Sequence, residues 1–84
     1  MELRKELRDI SISRLKEYVS IIEDATPRES GFGGDGWELE LSELPPVQLG
    51  HMRAVRVLFI LRGGEDAVHR VWNALQYKLL RGGA

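Results

Sequence analysis

From Met52 to Arg62 the chain alternates with a period of two, and of the two faces created by that alternation one is apolar and the other half apolar. Val55, Val57, Phe59 and Leu61 fall on one side, while Ala54, Arg56, Leu58, Ile60 and Arg62 fall on the other. Such a run is a strand, and its first face belongs under helices. The second face is the constraint. A sheet that is wet on one side should carry polar residues there, yet Leu58 and Ile60 occupy it. Those two side chains need a cover, supplied by the chain itself or by a second subunit.

The neighbouring segments offer material for a small layered fold. Trp37, Leu39 and Leu41 alternate with Glu38 and Glu40, the pattern of a half-buried strand. Pro45-Pro46 is expected to end that strand, with 47–49 as a short edge piece before Gly50. Antiparallel pairing of the two strands would set Arg56 across from Glu38 or Glu40 and help fix the register.

Helices are expected on both flanks. Over residues 2–24, Leu3, Leu7, Ile10, Leu15, Tyr18, Val19 and Ile22 recur at spacings that share one helical stripe. A break near Ser11-Ile12-Ser13, or a brief extended piece there, is the alternative. Thr26 precedes Pro27 and leaves the α region, which closes the segment. Residues 65–81 carry Glu65 and Asp66 in the first turn, Lys78 and Arg81 in the last, and Gly82-Gly83 as a stop. Val68, Val71, Trp72, Leu75 and Leu79 form the buried stripe, and Trp72→Ala is expected to cost about 3–5 kcal/mol.

With 84 residues the chain supports one core. The expected fold class is α+β: a two-layer sandwich in the order α-β-β(-β)-α, with a small antiparallel sheet and the N- and C-terminal helices on one face. The expected domain is a single one over 1–84, with a flexible Gly-rich loop at 26–36. A sheet of two or three strands has unprotected edges, so a closed homodimer is expected.

Several function classes are disfavoured. Without cysteine there is no disulfide scaffold, thiolate metal site or thiol nucleophile, and a cytoplasmic location is the natural expectation. The longest unbroken apolar run, Val57 to Leu61, is too short to span a bilayer. The start of the chain lacks the apolar core of a secretion signal. Neither Gly31–Gly36 nor Gly63-Gly64 has the context of a phosphate loop, because acids stand beside both. Glu65 and His69 form an i,i+4 pair on a helix, too few groups for a zinc site, and His51 reads as part of a polar rim. No catalytic residue, metal ligand or cofactor is expected.

Charge is unevenly placed along the chain. Residues 1–50 carry 6 basic and 11 acidic side chains, and residues 51–84 carry 6 and 2. An electrically dipolar domain follows from that layout, suited to subunit contacts.

The leading expectation is a non-catalytic protein-interaction or regulatory module that self-associates through its sheet. The expected interface is Leu58, Ile60 and Arg56, with Leu3 and Leu7 as an apolar arm for another subunit or a protein partner. One alternative is a small nucleic-acid-binding domain using the basic C-terminal half, with anion contacts from Arg53, Arg56, Arg62, Arg70, Lys78 and Arg81. The expected element order resembles that of double-stranded-RNA-binding domains. It lacks the basic cluster those domains place at the start of their last helix, where Glu65 and Asp66 stand here. Another alternative is an enzyme whose site forms at an oligomer interface, where Arg53, Arg56 or His51 would meet a neighbour's acids.

Overall fold

Seven elements follow one another along the chain: β1 (Glu2–Arg8), α1 (Ile12–Ser20), β2 (Thr26–Arg28), β3 (Gly31–Gly34), β4 (Trp37–Leu49), β5 (Met52–Gly63) and α2 (Glu65–Gly82). The structure, a computed structural model, describes residues 1–82, with side chains through Leu79. The strands form one sheet in the order β1-β5-β4-β3-β2, antiparallel at every pairing.

This corrects the expected α-β-β(-β)-α sandwich in two places. The first is residues 2–24, which divide into a strand and a nine-residue helix. Leu3 and Leu7 are four apart, a spacing that fits a helical stripe and one face of a strand equally well. Tertiary pairing decides between them. β5 presents a full edge, and β1 fills it from Glu2 opposite Arg62 to Arg8 opposite Arg56. Asp9 then turns the chain with φ 62, and Ser11 caps α1 by accepting the Arg14 amide at 3.2 Å.

The second is the 26–36 stretch, expected as a flexible loop. It forms the β2–β3 hairpin, and Phe32 within it is buried in the core. Gly31 and Gly34 are there for proximity. A Cβ on Gly31 would overlap the Leu39 carbonyl, and one on Gly34 would overlap the Trp37 indole. Neither signal is periodic, so neither shows in the hydropathy pattern.

Pro45-Pro46 does not end β4. The ladder to β5 slips there, between Leu44 and Val47, and resumes with Val47 opposite Ala54 and Leu49 opposite Met52. The bulge absorbs two residues that lack ladder donors. The carbonyl of Pro45 accepts from the Arg56 Nε at 2.8 Å.

The core lies between one sheet face and both helices. Leu15 and Val19 of α1 and Val68, Val71 and Leu75 of α2 pack with Phe32, Trp37, Leu39, Leu41, Val57, Phe59 and Leu61. Leu3 and Leu7 join the margin of that cluster, as do Ile10 and Trp72. Trp72 meets Phe59 at 5.4 Å between ring centroids and is only half-buried. Phe59 at its centre is fully enclosed.

The β4–β5 hairpin reaches past the rest of the sheet, because β1 and β3 flank only its root. The molecule measures 42 × 24 × 20 Å, with a radius of gyration of 13.0 Å. A compact chain of this length would have a radius of about 12 Å. Its surface of 5626 Å² likewise exceeds the roughly 5,000 Å² expected for its mass. Leu49, Met52 and Val55 are exposed along this arm.

Candidate functional site

The sheet face away from the helices is built from side chains of alternating charge. In register across it stand Glu2, Arg62 and Glu38; then Arg4, Ile60 and Glu40; then Glu6, Leu58 and Ser42; then Arg8, Arg56 and Leu44. Strand alternation puts the even-numbered residues of β1, of β5 and of β4 as far as Leu44 here and sends the odd-numbered ones to the opposite face; beyond the bulge the parity of β4 is reversed. Arg62 binds Glu2 at 2.9 Å and approaches Glu40 at 3.9 Å. Glu6 holds Arg56 at 2.7 Å through one oxygen and Arg8 at 2.9 Å through the other. Arg4 reaches Glu2 at 4.0 Å and keeps 60% of its side chain exposed.

These contacts explain how the two apolar residues on this face are accommodated. Ile60 is only 4% exposed, although it lies outside the helix-covered core. It stands between Arg4 and Glu40, and long charged side chains lay their methylenes over an apolar neighbour while keeping the head in water. Leu58, between Glu6 and Ser42, is half-buried. Leu3 and Leu7 sit on the opposite face of β1 and lean on the core. The five residues expected to form one interface are thus divided between the two faces of the sheet. Arg56 stands opposite Leu44 and binds Glu6, while Arg62 takes the place across from Glu38.

The ion pairs leave their mark on titration. Glu2 is lowered from the usual carboxylate range, chiefly by its hydrogen bond from Arg62. Glu6 is lowered by hydrogen bonds from Arg8 and then Arg56. Arg62 is raised in return, first by Glu2.

Asp24 is a separate polar junction. It accepts from Arg70 at 3.1 and 3.2 Å, from the Trp37 indole at 2.9 Å and from the Asp35 amide at 2.9 Å. Those donors, Arg70 first, hold its carboxyl far below the usual range, and Arg70 is raised by the same pair. The junction ties the end of the α1 segment to the β3–β4 turn and to α2. Its geometry is that of a brace.

The basic residues considered as an anion surface do not converge. Arg56 and Arg62 are on the outer sheet face and paired with acids, Arg70 is on α2 and paired with Asp24, and Arg53 is on the hairpin arm. Lys78 is on α2, and the Arg81 side chain lies outside the described residues. Among the described residues, no three His, Asp or Glu side chains gather as a metal-binding group. No helix among them is long and apolar enough to cross a membrane.

Two sheet edges remain. At one, β2 is three residues long and contains Pro27, which has no amide hydrogen to offer. At the other, β1 is seven residues long, and among the described residues no strand lies along its outer side. Beside its C-terminal end is a crevice of about 500 Å³, lined by Leu7, Arg8, Ile10, Arg14, Tyr18 and Leu79 among others. Reading 2–8 as helix hid this edge. The signal that could have found it is the charged residue at each of positions 2, 4, 6 and 8 around Leu3 and Leu7, an alternation that only Lys5 interrupts.

A search of curated proteins finds no significant match. The sequence model of a family described as archaeal MoaD-like protein matches residues 3–84, nearly the whole chain.

Proposed function

Given that the chain belongs to the archaeal MoaD-like protein family, we propose that it is a non-catalytic protein-interaction module that self-associates through its sheet. The observation that carries this reading is the β1 edge. It is a seven-residue strand, hydrogen-bonded among the described residues on one side only, with no proline or bulge to close it. An edge of that length and regularity is a template for a further strand. The outer sheet face serves less well as the contact, because Ile60 is already enclosed by its charged neighbours. The projecting β4–β5 arm adds a second surface, where exposed Leu49 and Met52 would suit a protein partner.

Sedimentation equilibrium over a wide concentration range tests self-association. The expected result is a mass approaching twice the 9.5 kDa of one chain, and a mass of one chain at every concentration would sink the reading.

A MoaD-like chain also invites a sulfur-carrier reading, for which the sequence supplies Gly82-Gly83, followed by Ala84. Intact-mass measurement tests it, because a carrier would show a fraction cleaved after Gly83 and bearing a thiocarboxylate there in place of the carboxylate.

A further inference from the structure

We propose that two copies of the chain pair through β1 as antiparallel neighbours, in a single register centred on Lys5. This rests on the self-association reading and adds the edge, the register and the residues that fix them.

Backbone direction comes first. Met1 and Gly63 exchange hydrogen bonds, and the Asp9 amide donates to the Val55 carbonyl at 3.1 Å. In an antiparallel ladder every second residue points the same way. Leu3, Lys5 and Leu7 therefore direct their amides and carbonyls to β5, and Glu2, Arg4, Glu6 and Arg8 direct theirs outward. A second β1 laid alongside must match outward residues with outward residues. That leaves only registers in which even-numbered residues face even-numbered residues, and the same condition keeps the two outer faces on one side.

Side chains then choose among those registers. Centred on Lys5, the sequence Glu-Leu-Arg-Lys-Glu-Leu-Arg meets its own reverse with opposite charges in line. Glu2 faces Arg8 of the second copy and Arg4 faces Glu6, on the outer face, while Leu3 faces Leu7 on the core side. A slip of two residues one way sets Glu2 against Glu6 and Arg4 against Arg4. The opposite slip sets Arg4 against Arg8 and Glu6 against Glu6. Like charges directly opposite one another destabilise a strand pair, so both neighbouring registers are disfavoured by the residues that favour the central one.

Arg4 and Arg8 are the cations with most to gain, at 60% and 50% exposed. Leu3 of the second copy would lie beside Leu7, at the mouth of the crevice that Leu7 and Ile10 help to line. The one like pair is Lys5 with itself on the two-fold axis, and its ammonium is drawn aside, 5.9 Å from the Trp72 ring centroid of its own chain. Charges on an edge strand commonly block pairing. Here their order makes the edge complementary to itself.

The test is a charge exchange between copies, with each variant first checked for a wild-type circular dichroism spectrum. Arg4→Glu and Glu6→Arg should each weaken self-association at least tenfold, because each sets like charges opposite. Mixed together they should form a heterodimer, because the glutamate of Arg4→Glu then meets the arginine of Glu6→Arg in one half, and the unchanged Glu6 and Arg4 of the two chains meet in the other. A second arm avoids the ion pairs altogether. Lys5 is a non-hydrogen-bonded position on the axis, where Cα atoms of paired strands lie about 4.5 Å apart, within disulfide reach. In this cysteine-free chain, Lys5→Cys should oxidise readily to a covalent dimer, whereas Met52→Cys at the hairpin tip should not. A wild-type dimer that ignores both charge reversals and leaves Lys5→Cys uncrosslinked overturns this register while self-association stands. A wild type that stays monomeric throughout overturns both.

Discussion

A methyl group added at Gly31 would overlap the Leu39 carbonyl, which belongs to the backbone of the adjoining strand and cannot rotate away. At Gly64 the same methyl meets nothing within 4 Å. Gly31→Ala should therefore cost about 1–3 kcal/mol, as overpacking at a close approach does, and Gly64→Ala, whose penalty is confined to the N-cap of α2, should lower the thermal midpoint by less. Equal midpoints for the two variants would show that the hairpin can shift to admit the methyl. The comparison also separates two kinds of glycine that look identical in sequence. Trp72 teaches a related lesson. Its helical position marks it as core, but it sits half-buried at the margin while Phe59 is fully enclosed, so the sequence-based 3–5 kcal/mol fits Phe59→Ala better.

Among the elements, α1 is the most dependent on its surroundings. Nine residues are too few to hold a helix in isolation. It is held by the Ser11 cap, by Leu15 and Val19 in the core, and by the Asp24 junction just beyond its end. That junction makes a prediction about acid. The Asp24 pKa is lower in the folded protein than in the unfolded chain. Its stabilisation is therefore fully present above the unfolded value, about 3.9, and is lost as pH falls towards the folded one. Asp24→Asn should lower the thermal midpoint at pH 7 and flatten the decline of midpoint below about pH 4. Glu2 and Glu6, also lowered, would still titrate in the variant. A curve that simply runs parallel to wild type would show that the carboxylate contributes nothing through its charge.

Taken whole, the molecule has a well-covered root and a bare arm. Residues 57–61 of β5 lie between β1 and β4 with helices beneath, whereas among the described residues 47–54 pair only within their own hairpin. Amide exchange should report this as protection on the order of a hundredfold or more greater at Phe59 than at Ala54; equal protection would mean that the arm opens only with the whole domain. Folding also rearranges the charge layout. The acidic first half and basic second half suggested a dipole along the chain, yet strand pairing inserts Arg56 and Arg62 among Glu2, Glu6 and Glu40. The two halves neutralise each other within one sheet face.

The sequence by itself determined what depends on local period and composition. β5, the root of β4 and the helix at 65–81 could be read directly, because each carries an apolar repeat of one clear period. It also contained the self-complementary order of charges at 2–8, since that is a property of the residues alone. Tertiary structure decided what depends on a neighbour. Leu3 and Leu7 fit a helix or a strand until β5 offers an edge, and Gly31 means nothing until the Leu39 carbonyl lies against it. Ile60 looks uncovered until Arg4 and Glu40 stand on either side. In each case the deciding contact joins residues on different strands, and no periodic pattern within one strand encodes such a contact.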